Sequence, residues 1–271
     1  MRAGRRYFLV LTGLLAVLPA AAATDPFSQL AEAYLVQVGD RDLWAGQADK
    51  RLAPASLTKV MTALIVLEDY RPAQIVTVGE SAAQATGSRL RLKAGDRLSV
   101  EALLAATLIA SANDACAALA AFHAGSIEAF VEKMNGRARA LGLANTHFSN
   151  PCGFDAPEHY SSASDLARIA RAALTHPTFA ELVARPEAEI STADGKRRFH
   201  FRNKNALVGS YAPAVGVKSG YTDGAGRCLI ALARKDGKQV MLVMLHAKSR
   251  WWDAIGIIEN AFDEAAANAA R

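Results

Sequence analysis

The chain has 271 residues, of which 51% are apolar, so it can bury a sizeable core in one large domain or two small ones. It carries 31 basic and 26 acidic residues, a formal net charge of +5. Three of the basic residues lie in a predicted export signal at the start of the chain, and the charge of +2 without them is too close to neutral to support nucleic-acid binding. The six histidines and three cysteines show neither a CxxC nor an HExxH spacing, so we expect no metal site and no cofactor.

The first 23 residues have the three parts of an export signal. Arg2, Arg5 and Arg6 form a basic head, residues 7–18 (YFLVLTGLLAVL) form an apolar run too short to span a bilayer with ease, and Ala23 ends a small-residue cleavage site. Three of the basic residues and none of the acidic ones lie in this segment, so cleavage leaves a net charge of +2 and no transmembrane anchor. We therefore expect an exported protein of the periplasm or cell envelope, soluble after cleavage. An uncleaved N-terminal anchor is the alternative.

The predicted elements begin with a β-hairpin, in which residues 33–38 (AYLVQV) and 42–47 (DLWAGQ) flank a Gly39-Asp40 turn. A helix follows near Ser56, with Pro54 at its entry. The apolar residues of this helix cover most of its circumference, as is typical of a helix inside a core; they are Leu57, Val60, Met61, Leu64, Ile65 and Leu67.

Residues 74–186 are rich in alanine and leucine and are predicted to be mostly helical. The predicted helices span residues 100–110, 112–122, 127–141 and 165–174. Three serines are the predicted N-caps and one glycine the predicted stop of the third helix: Ser99, Ser126, Ser164 and Gly142. Residues 149–162 (SNPCGFDAPEHYSS) form a polar loop.

After residue 187 the chain is predicted to form strands, from the segments AEIST, RFHFRN, AVGVKSGYT, RCLIALAR and QVMLVMLH, with turns at Asp194-Gly195 and Asp236-Gly237. A final helix, residues 251–269, has an apolar face for core packing and an acidic polar face. The fold class is therefore α+β. An antiparallel sheet takes its strands from both ends of the chain, helices flank it, and a mostly helical segment, residues 74–186, is inserted between them.

Cys116, Cys152 and Cys228 are an odd number of cysteines, which cannot form a complete disulfide framework in an exported chain. They could also be small buried apolar residues. The sequence leaves their pairing open.

Ser56 and Lys59 lie three positions apart, so they share one face of the predicted helix. Ser56 falls in the first turn, where free N–H groups and the helix dipole favour developing negative charge. Lys59 lies deeper among apolar residues, and burial lowers the pKa of a lysine because it disfavours the charged form. A neutral lysine can take the proton of a serine that attacks a carbonyl. The alternative is a surface helix with a capping serine and a solvated lysine.

The segment IASANDAC places Ser111 and Asn113 between two predicted helices. A hydroxyl there could relay a proton to a leaving amine, and a carboxamide could hold both a lysine and a substrate amide. Helix capping is the alternative.

The segment GVKSGYT places Lys218, Ser219 and Gly220 on a predicted strand. A lysine and a hydroxyl on one strand can bind a substrate carboxylate, and a glycine lets a substrate backbone approach closely. Tyr221 could supply its backbone N–H, with that of Ser56, as an oxyanion hole. The alternative is an edge strand with a solubilising lysine and a glycine kink.

Each motif is weak alone, but Ser-x-x-Lys, Ser-x-Asn and Lys-Ser-Gly occur here in that order on a helix, a loop and a strand. This set resembles the penicillin-recognising serine enzymes, and within them the low-molecular-mass penicillin-binding proteins that are D-alanyl-D-alanine carboxypeptidases. The resemblance runs from about residue 33 to residue 254. It is carried by ASLTKVMTAL, SANDACAALA, NPCGFDAPEHYSSASDLARIA, RNKNAL and GVKSGYTDGAGRCLIALA.

The resemblance implies the fold of serine β-lactamases and DD-peptidases, and it implies roles for individual residues. Ser56 would form the acyl-enzyme, Lys59 would be its base, and Ser111 would relay protons. The substrate would be a peptidoglycan stem peptide ending in D-Ala-D-Ala, with β-lactams as covalent inhibitors. The residues that bind this peptide would be Asn113, Lys218, Ser219, Gly220, Tyr221 and Lys204. Of these, the two lysines and Ser219 would hold its terminal carboxylate.

Two features depart from the family. Ser219 stands where the family usually has threonine, which preserves the hydroxyl. The chain is expected to consist of the signal and one catalytic domain, residues 24–271, without the β-rich C-terminal domain and membrane anchor of many relatives.

Three other functions remain open. A DD-endopeptidase would attack the same D-Ala-linked carbonyl in crosslinks. A β-lactamase would need a deacylation base; the loop offers Asp155 and Glu158 but not the Glu-x-x-Leu-Asn pattern of the commonest β-lactamases. A non-catalytic β-lactam sensor or peptidoglycan-binding module could use the same fold.

Overall fold

The computed structural model describes residue 27 and residues 29–269; the predicted signal segment, residues 1–23, lies outside them. The strands are β1 (Ala31–Val38), β2 (Arg41–Gly46), β3 (Ile75–Thr77), β4 (Arg97–Ser99), β5 (Glu187–Ser191), β6 (Arg198–Arg202), β7 (Ala214–Thr222), β8 (Gly226–Lys235) and β9 (Lys238–Ala247). The helices are α1 (Lys59–Glu68), α2 (Glu80–Ala83), α3 (Val100–Leu108), α4 (Asn113–Ala124), α5 (Ile127–Ala140), α6 (Ala163–Leu174), α7 (Pro177–Ala184) and α8 (Trp251–Ala269). A 3₁₀ turn (Ala55–Thr58) runs directly into α1.

The central sheet has five strands in the order β2-β1-β9-β8-β7, and each neighbouring pair is antiparallel. The first hairpin of the chain therefore pairs with a strand from its end, with Leu35 opposite Val243. The turn between β8 and β9 holds Asp236 at φ +50° and Gly237 at φ +72°, the conformation that an Asp-Gly hairpin turn requires. The α+β class and the sheet built from both ends of the chain are confirmed.

Two predicted strands lie outside the central sheet. β5 and β6 pair only with each other, as do β3 and β4. Exposed and half-buried positions alternate along β5, and β6 buries only Phe201. Neither strand therefore has the continuous apolar run that a strand covered on both faces needs.

The central sheet is buried on both faces. In β9, Met241, Val243 and Leu245 face a core shared with α1 and α6, whereas Leu242 and Met244 face a second core shared with α8. This two-sided burial explains why the β9 sequence is apolar without alternation. α1 lies inside the first core, where it packs against α3, α4, α5 and α6, and every residue from Lys59 to Leu67 is buried.

Residues 74–186 contain β3, β4 and the helices α2 to α7. The capping predictions hold at α3 and α5, where the Ser99 and Ser126 hydroxyls accept backbone N–H groups, and Gly142 follows α5 at φ +68°. The prediction of Ser164 as a cap is wrong. α6 is capped by Ser162, which has the extended backbone that a cap requires, and Ser164 lies inside the first turn.

The cysteines divide between the two possibilities that the sequence left open. Cys116 on α4 and Cys152 in the loop of residues 149–162 form a disulfide bond, with their Cα atoms 6.0 Å apart. Cys228 on β8 is a free thiol, buried in the apolar core.

Within residue 27 and residues 29–269, no single helix has both the length and the apolar character to cross a membrane. α4 and α5 pass that test only as a pair, and the chain bends by 84° between them.

Candidate active site

Ser56 is placed by a strained turn at the entrance to α1. α1 itself begins at Lys59, but the 3₁₀ turn leads into it without a break, so Ser56 keeps the first-turn position predicted from the sequence. Ala55 has φ +48°, which is unfavourable for a residue with a β-carbon. The Thr58 hydroxyl stabilises this turn by donating a hydrogen bond to the Ala55 carbonyl oxygen at 2.8 Å.

Lys59 is fully buried, and its Nζ contacts three groups. Nζ lies 2.7 Å from Asn113 Oδ1, 2.5 Å from the Cys152 carbonyl oxygen and 3.0 Å from Ser56 Oγ. The first two oxygens can only accept, so a neutral amine donates its two N–H groups to them and turns its lone pair toward Ser56, whose hydroxyl then donates. This is the arrangement of a base about to receive the serine proton, and full burial excludes the solvated-lysine alternative.

Burial is the main cause of an altered pKa at this lysine. Desolvation, followed by the positive charge of Lys218, holds the Lys59 pKa well below its usual value. The sequence-based argument for a neutral lysine therefore agrees with its surroundings in the fold.

Asn113 is fixed between Lys59 and a neighbouring loop. Its Nδ2 donates to the Thr86 carbonyl oxygen at 2.7 Å, which leaves Oδ1 for Lys59. Ser111 is also buried and has φ +58°. Neither residue caps a helix, because the N-cap of α4 is Ala112, without a side-chain hydrogen bond.

Lys218 and Ser219 lie on β7, at the edge of the central sheet. Lys218 is buried rather than solubilising, and its Nζ donates to the Ser219 carbonyl oxygen at 2.9 Å. Burial, and after it the charges of Arg250 and Lys204, lower the Lys218 pKa to about 7. The Ser219 hydroxyl donates to the backbone carbonyl of Lys204 at 2.8 Å. The side chain of Lys204 is exposed, so its own link to the site is through its backbone and its charge.

Gly220 is required by the protein's own backbone. A β-carbon here would lie 2.9 Å from the Ser56 nitrogen and 3.0 Å from the Ala55 β-carbon. The structure shows that this glycine makes room for the serine turn, and the close approach of a substrate backbone that the sequence suggested stays a prediction. The next residue, Tyr221, is 57% exposed.

His159 supports the serine turn and was missed by the sequence analysis. The Ser149 N–H donates to its Nδ1 at 3.0 Å, so the ring proton is on Nε2, which donates to the Thr58 hydroxyl at 2.8 Å. Burial, as the first cause, lowers the His159 pKa to about 4, so the ring is neutral near pH 7. A relay of hydrogen bonds thus runs from His159 through Thr58 to Ala55.

The sequence analysis also did not identify two further side chains that shape the site, Asn150 and Arg250. The side chain of Asn150 accepts hydrogen bonds from the backbone N–H groups of Gly153 and Phe154 at 2.7 and 3.0 Å, which shapes the loop that carries the Cys152 carbonyl. Its Asn-Pro-x-Gly sequence is typical of a turn and could have indicated this. Arg250 donates to the Gly220 carbonyl oxygen at 2.6 Å, and nothing in its local sequence indicated that contact.

Within residue 27 and residues 29–269, no group of three or more histidine, cysteine, aspartate or glutamate side chains is arranged to hold a metal ion.

The chain is similar to known proteins over most of the residues that the structure describes. Residues 28–249 match the model of the peptidase S11 family, D-alanyl-D-alanine carboxypeptidase. The chain is 38% identical to the D-alanyl-D-alanine carboxypeptidase DacF of Bacillus subtilis over 212 residues, and 39% identical to DacC of Escherichia coli over 216. These matches cover 76% and 75% of this chain but 54% and 53% of the relatives, so the chain spans about half of their length.

A smaller relative matches over almost its full length. The chain is 32% identical to a D-alanyl-D-alanine carboxypeptidase of Streptomyces sp. strain K15, over 94% of both sequences. The crystal structure of the Streptomyces K15 DD-transpeptidase is 31% identical and superimposes with a TM-score of 0.83, covering 89% of this chain and all of that one. The fold predicted from the resemblance is confirmed, and the chain belongs to the D-alanyl-D-alanine carboxypeptidase (peptidase S11) family.

Proposed function

We propose that this protein is a serine DD-peptidase that removes the C-terminal D-alanine from peptidoglycan stem peptides through an acyl-enzyme on Ser56. The observation that supports this most directly is the 3.0 Å contact between Ser56 Oγ and Nζ of the fully buried Lys59. The names of the relatives from Bacillus subtilis, Escherichia coli and Streptomyces agree with it.

Acylation begins when Lys59 takes the Ser56 proton as the serine oxygen attacks the carbonyl carbon between the two D-alanines. The carbonyl oxygen becomes an oxyanion, stabilised by the backbone N–H groups of Ser56 and Tyr221. The close approach of Gly220 to the Ser56 nitrogen supports this pairing, because it brings β7 against the serine turn. The tetrahedral intermediate collapses as its C–N bond breaks: Ser111 gives its hydroxyl proton to the leaving amine and receives the proton that Lys59 took from Ser56, and D-alanine departs.

Recognition of the substrate rests on the carboxylate at its end. Protonated Lys218, the Ser219 hydroxyl and the charge of Lys204 bind that group, and Asn113 orients the peptide amide. The second cation beside Lys218, Arg250, reinforces the positive field at this end of the site. Water then hydrolyses the acyl-enzyme.

The loop of residues 149–162 supports slow rather than rapid release of a β-lactam from Ser56. Asp155 accepts hydrogen bonds from the Thr222 hydroxyl at 2.6 Å and the Gly224 N–H at 3.2 Å, and Glu158 is exposed. Asp155 is thereby bound to β7 and to the turn that follows it, and the Glu158 side chain lies at the surface. A β-lactamase needs one of them as its deacylation base, so we favour a penicillin-binding DD-peptidase.

We further propose that residues 1–23 direct export to the periplasm or cell envelope and that residues 24–271 act as one catalytic domain, soluble after cleavage. The basic head, the apolar run and the Ala-x-Ala site support this. Expression of the full chain, followed by fractionation and intact-mass analysis, tests it. A secreted product beginning at Thr24 is expected; a full-length, membrane-bound product would instead indicate an uncleaved anchor.

The function is tested by following the intact mass of residues 24–271 with benzylpenicillin, beside the Ser56→Ala variant. We expect a one-to-one adduct that decays slowly and is missing in the variant. Rapid loss of penicillin without an adduct would indicate a β-lactamase. If neither adduct nor hydrolysis occurs, a peptidoglycan-binding module becomes the better hypothesis.

A second assay separates the peptidase alternatives. The enzyme is incubated with a stem pentapeptide and with a crosslinked dimer, and the products are weighed by mass spectrometry. Release of D-alanine from the pentapeptide supports a carboxypeptidase, and cleavage of the dimer alone would assign a DD-endopeptidase.

A further inference from the structure

A disulfide bond lies beside both acceptor groups that hold Lys59. Asn113, whose Oδ1 lies 2.7 Å from the lysine Nζ, is in the first turn of α4, and Cys116 follows it by three residues. Cys152, whose carbonyl oxygen lies 2.5 Å from the same Nζ, is the other half of the bridge. Both cysteines are buried, and Cys152 Sγ lies 3.8 Å from the Asn113 carbonyl oxygen.

We propose that the Cys116–Cys152 disulfide is a positioning device for the general base, which fixes the two acceptors of Lys59 relative to each other and keeps its lone pair directed at Ser56. The inference rests on the proposed function, in which Ser56 and Lys59 are the reacting pair.

The other contacts of the loop do not make this link. Asn150 binds N–H groups within the loop itself, so it shapes the loop without attaching it to α4. The Thr62 hydroxyl donates to the Pro151 carbonyl oxygen at 2.6 Å, which attaches the loop to α1. The disulfide is the covalent connection between the loop and α4, and α4 is the helix that carries Asn113.

Loss of the bridge should change both the geometry and the solvation of the base. Without it the Cys152 carbonyl can move away from Nζ, and water can enter the space between the loop and α4. Desolvation is the largest cause of the lowered Lys59 pKa, so water entry raises that pKa. A base works only when it is neutral, so a higher pKa moves the acidic limb of the acylation rate to higher pH.

The other charged groups around Lys59 are not held by the disulfide, so its loss should leave them in place. Lys218 on β7 lowers the Lys59 pKa, and the neutral ring of His159 faces it from the loop. The nearest carboxylate on α4, Asp114, is occupied by the N–H groups of Leu90 and Leu92. On α6, Asp165 accepts hydrogen bonds from Asn145 and Thr146 instead of facing the lysine.

The experiment compares residues 24–271 with two variants that lack the bridge, Cys116→Ala/Cys152→Ala and Cys116→Val/Cys152→Ala, the second of which refills part of the lost volume. Ile257→Ala is the control for a general loss of stability, because Ile257 lies on α8 and is buried in the second core, on the face of the sheet opposite α1. Near-UV circular dichroism and thermal melting report folding. The rate of benzylpenicillin acylation is measured across pH, and NMR of lysines labelled with ¹³C at Cε reports the Lys59 pKa without turnover.

The inference predicts that both bridge variants fold and acylate at least tenfold more slowly at pH 7, with the acidic limb and the Lys59 titration displaced upward together. Ile257→Ala should lose thermal stability but keep the wild-type acidic limb of the acylation rate and the wild-type Lys59 titration. Unchanged titration and limb in the bridge variants would overturn the inference, as would failure of both variants to fold, which would make the bridge a determinant of the whole fold. If wild-type protein does not acylate at all, the proposed function fails instead, and the NMR titration still decides the role of the bridge.

Discussion

Gly220 on β7 and Ser56 in the 3₁₀ turn approach so closely that a β-carbon on the glycine would lie 2.9 Å from the serine nitrogen. Real β-carbons almost never come that near, so an alanine here must push the serine turn away. The edge strand β7 and the turn that carries Ser56 are therefore coupled through their backbones.

Replacement of Gly220 by alanine should consequently impair acylation more than folding. We expect benzylpenicillin acylation to slow about 100-fold, because a displacement of an ångström at the reacting atom has that cost, and stability to fall by about 1–3 kcal/mol from overpacking. Gly256→Ala is the matched control, since nothing lies within 4 Å of a β-carbon there and alanine favours the helix. Equal acylation by the two variants would contradict the coupling.

Protonation of Lys218 should control substrate binding. The Lys218 pKa of about 7 in the free protein means that its positive charge is lost as the pH rises above that value. The value of kcat/KM for a peptide ending in a D-Ala carboxylate should therefore fall on the alkaline side of pH 7, since kcat/KM reports the free enzyme.

The control for Lys218 is the same peptide with a C-terminal amide. The amide should react more slowly throughout and lack the alkaline limb, because it has no carboxylate for the lysine to bind. If kcat/KM falls at the same alkaline pH and by the same factor for both peptides, the fall is caused by a group other than Lys218.

Burial of a neutral His159 should make the fold sensitive to acid. Its pKa is lowered from 6.5 to about 4 in the folded protein, so the unfolded chain binds the proton first as the pH falls. The contribution of neutral His159 to the free energy of unfolding is fully present above pH 6.5. As the pH falls from 6.5 to 4 this contribution, on the order of 3 kcal/mol, is lost.

Urea unfolding at several pH values measures this loss. The His159→Gln variant should be less stable at pH 7 and show a shallower decline between pH 6.5 and 4. His200→Gln is the control, because His200 is exposed, and its decline should match that of the wild type. Parallel declines in all three proteins would remove His159 as the cause.

The hydroxyl of the fully buried Thr58 should matter for the position of the serine turn. It links His159 to the carbonyl of Ala55, whose φ of +48° needs support from its surroundings. Thr58→Val keeps the shape but leaves two buried partners unpaired, so we expect a loss of about 1–3 kcal/mol and at least tenfold slower acylation.

Thr58→Ser restores the hydroxyl and is the matched comparison. Acylation by the serine variant should return close to the wild-type rate, while stability recovers only partly because a methyl group is missing from the core. If valine and serine acylate alike, the hydrogen-bond relay does not position Ser56.

Much of the fold could be predicted because its signals are local. The Gly39-Asp40 and Asp236-Gly237 turns define their hairpins, and the serines before α3 and α5 define helix starts. The spacing of Ser56 and Lys59 likewise determines that they share a face, whatever surrounds them. The separate pairing of β5 with β6 was not predictable from their length, because it depends on which strands elsewhere bury both faces.

The features of the site also fall into those that the sequence indicates and those that depend on the fold. The sequence alone determined which residue types could react, and in what order they occur along the chain. Only the tertiary structure decided that the Asn113 and Cys152 oxygens meet at Lys59, that Cys116 pairs with Cys152 and that His159 supports the serine turn. These contacts join residues 36 to 101 positions apart, and local propensity carries no information about such distances because they are set by the packing of α1, α4 and the loop into one core.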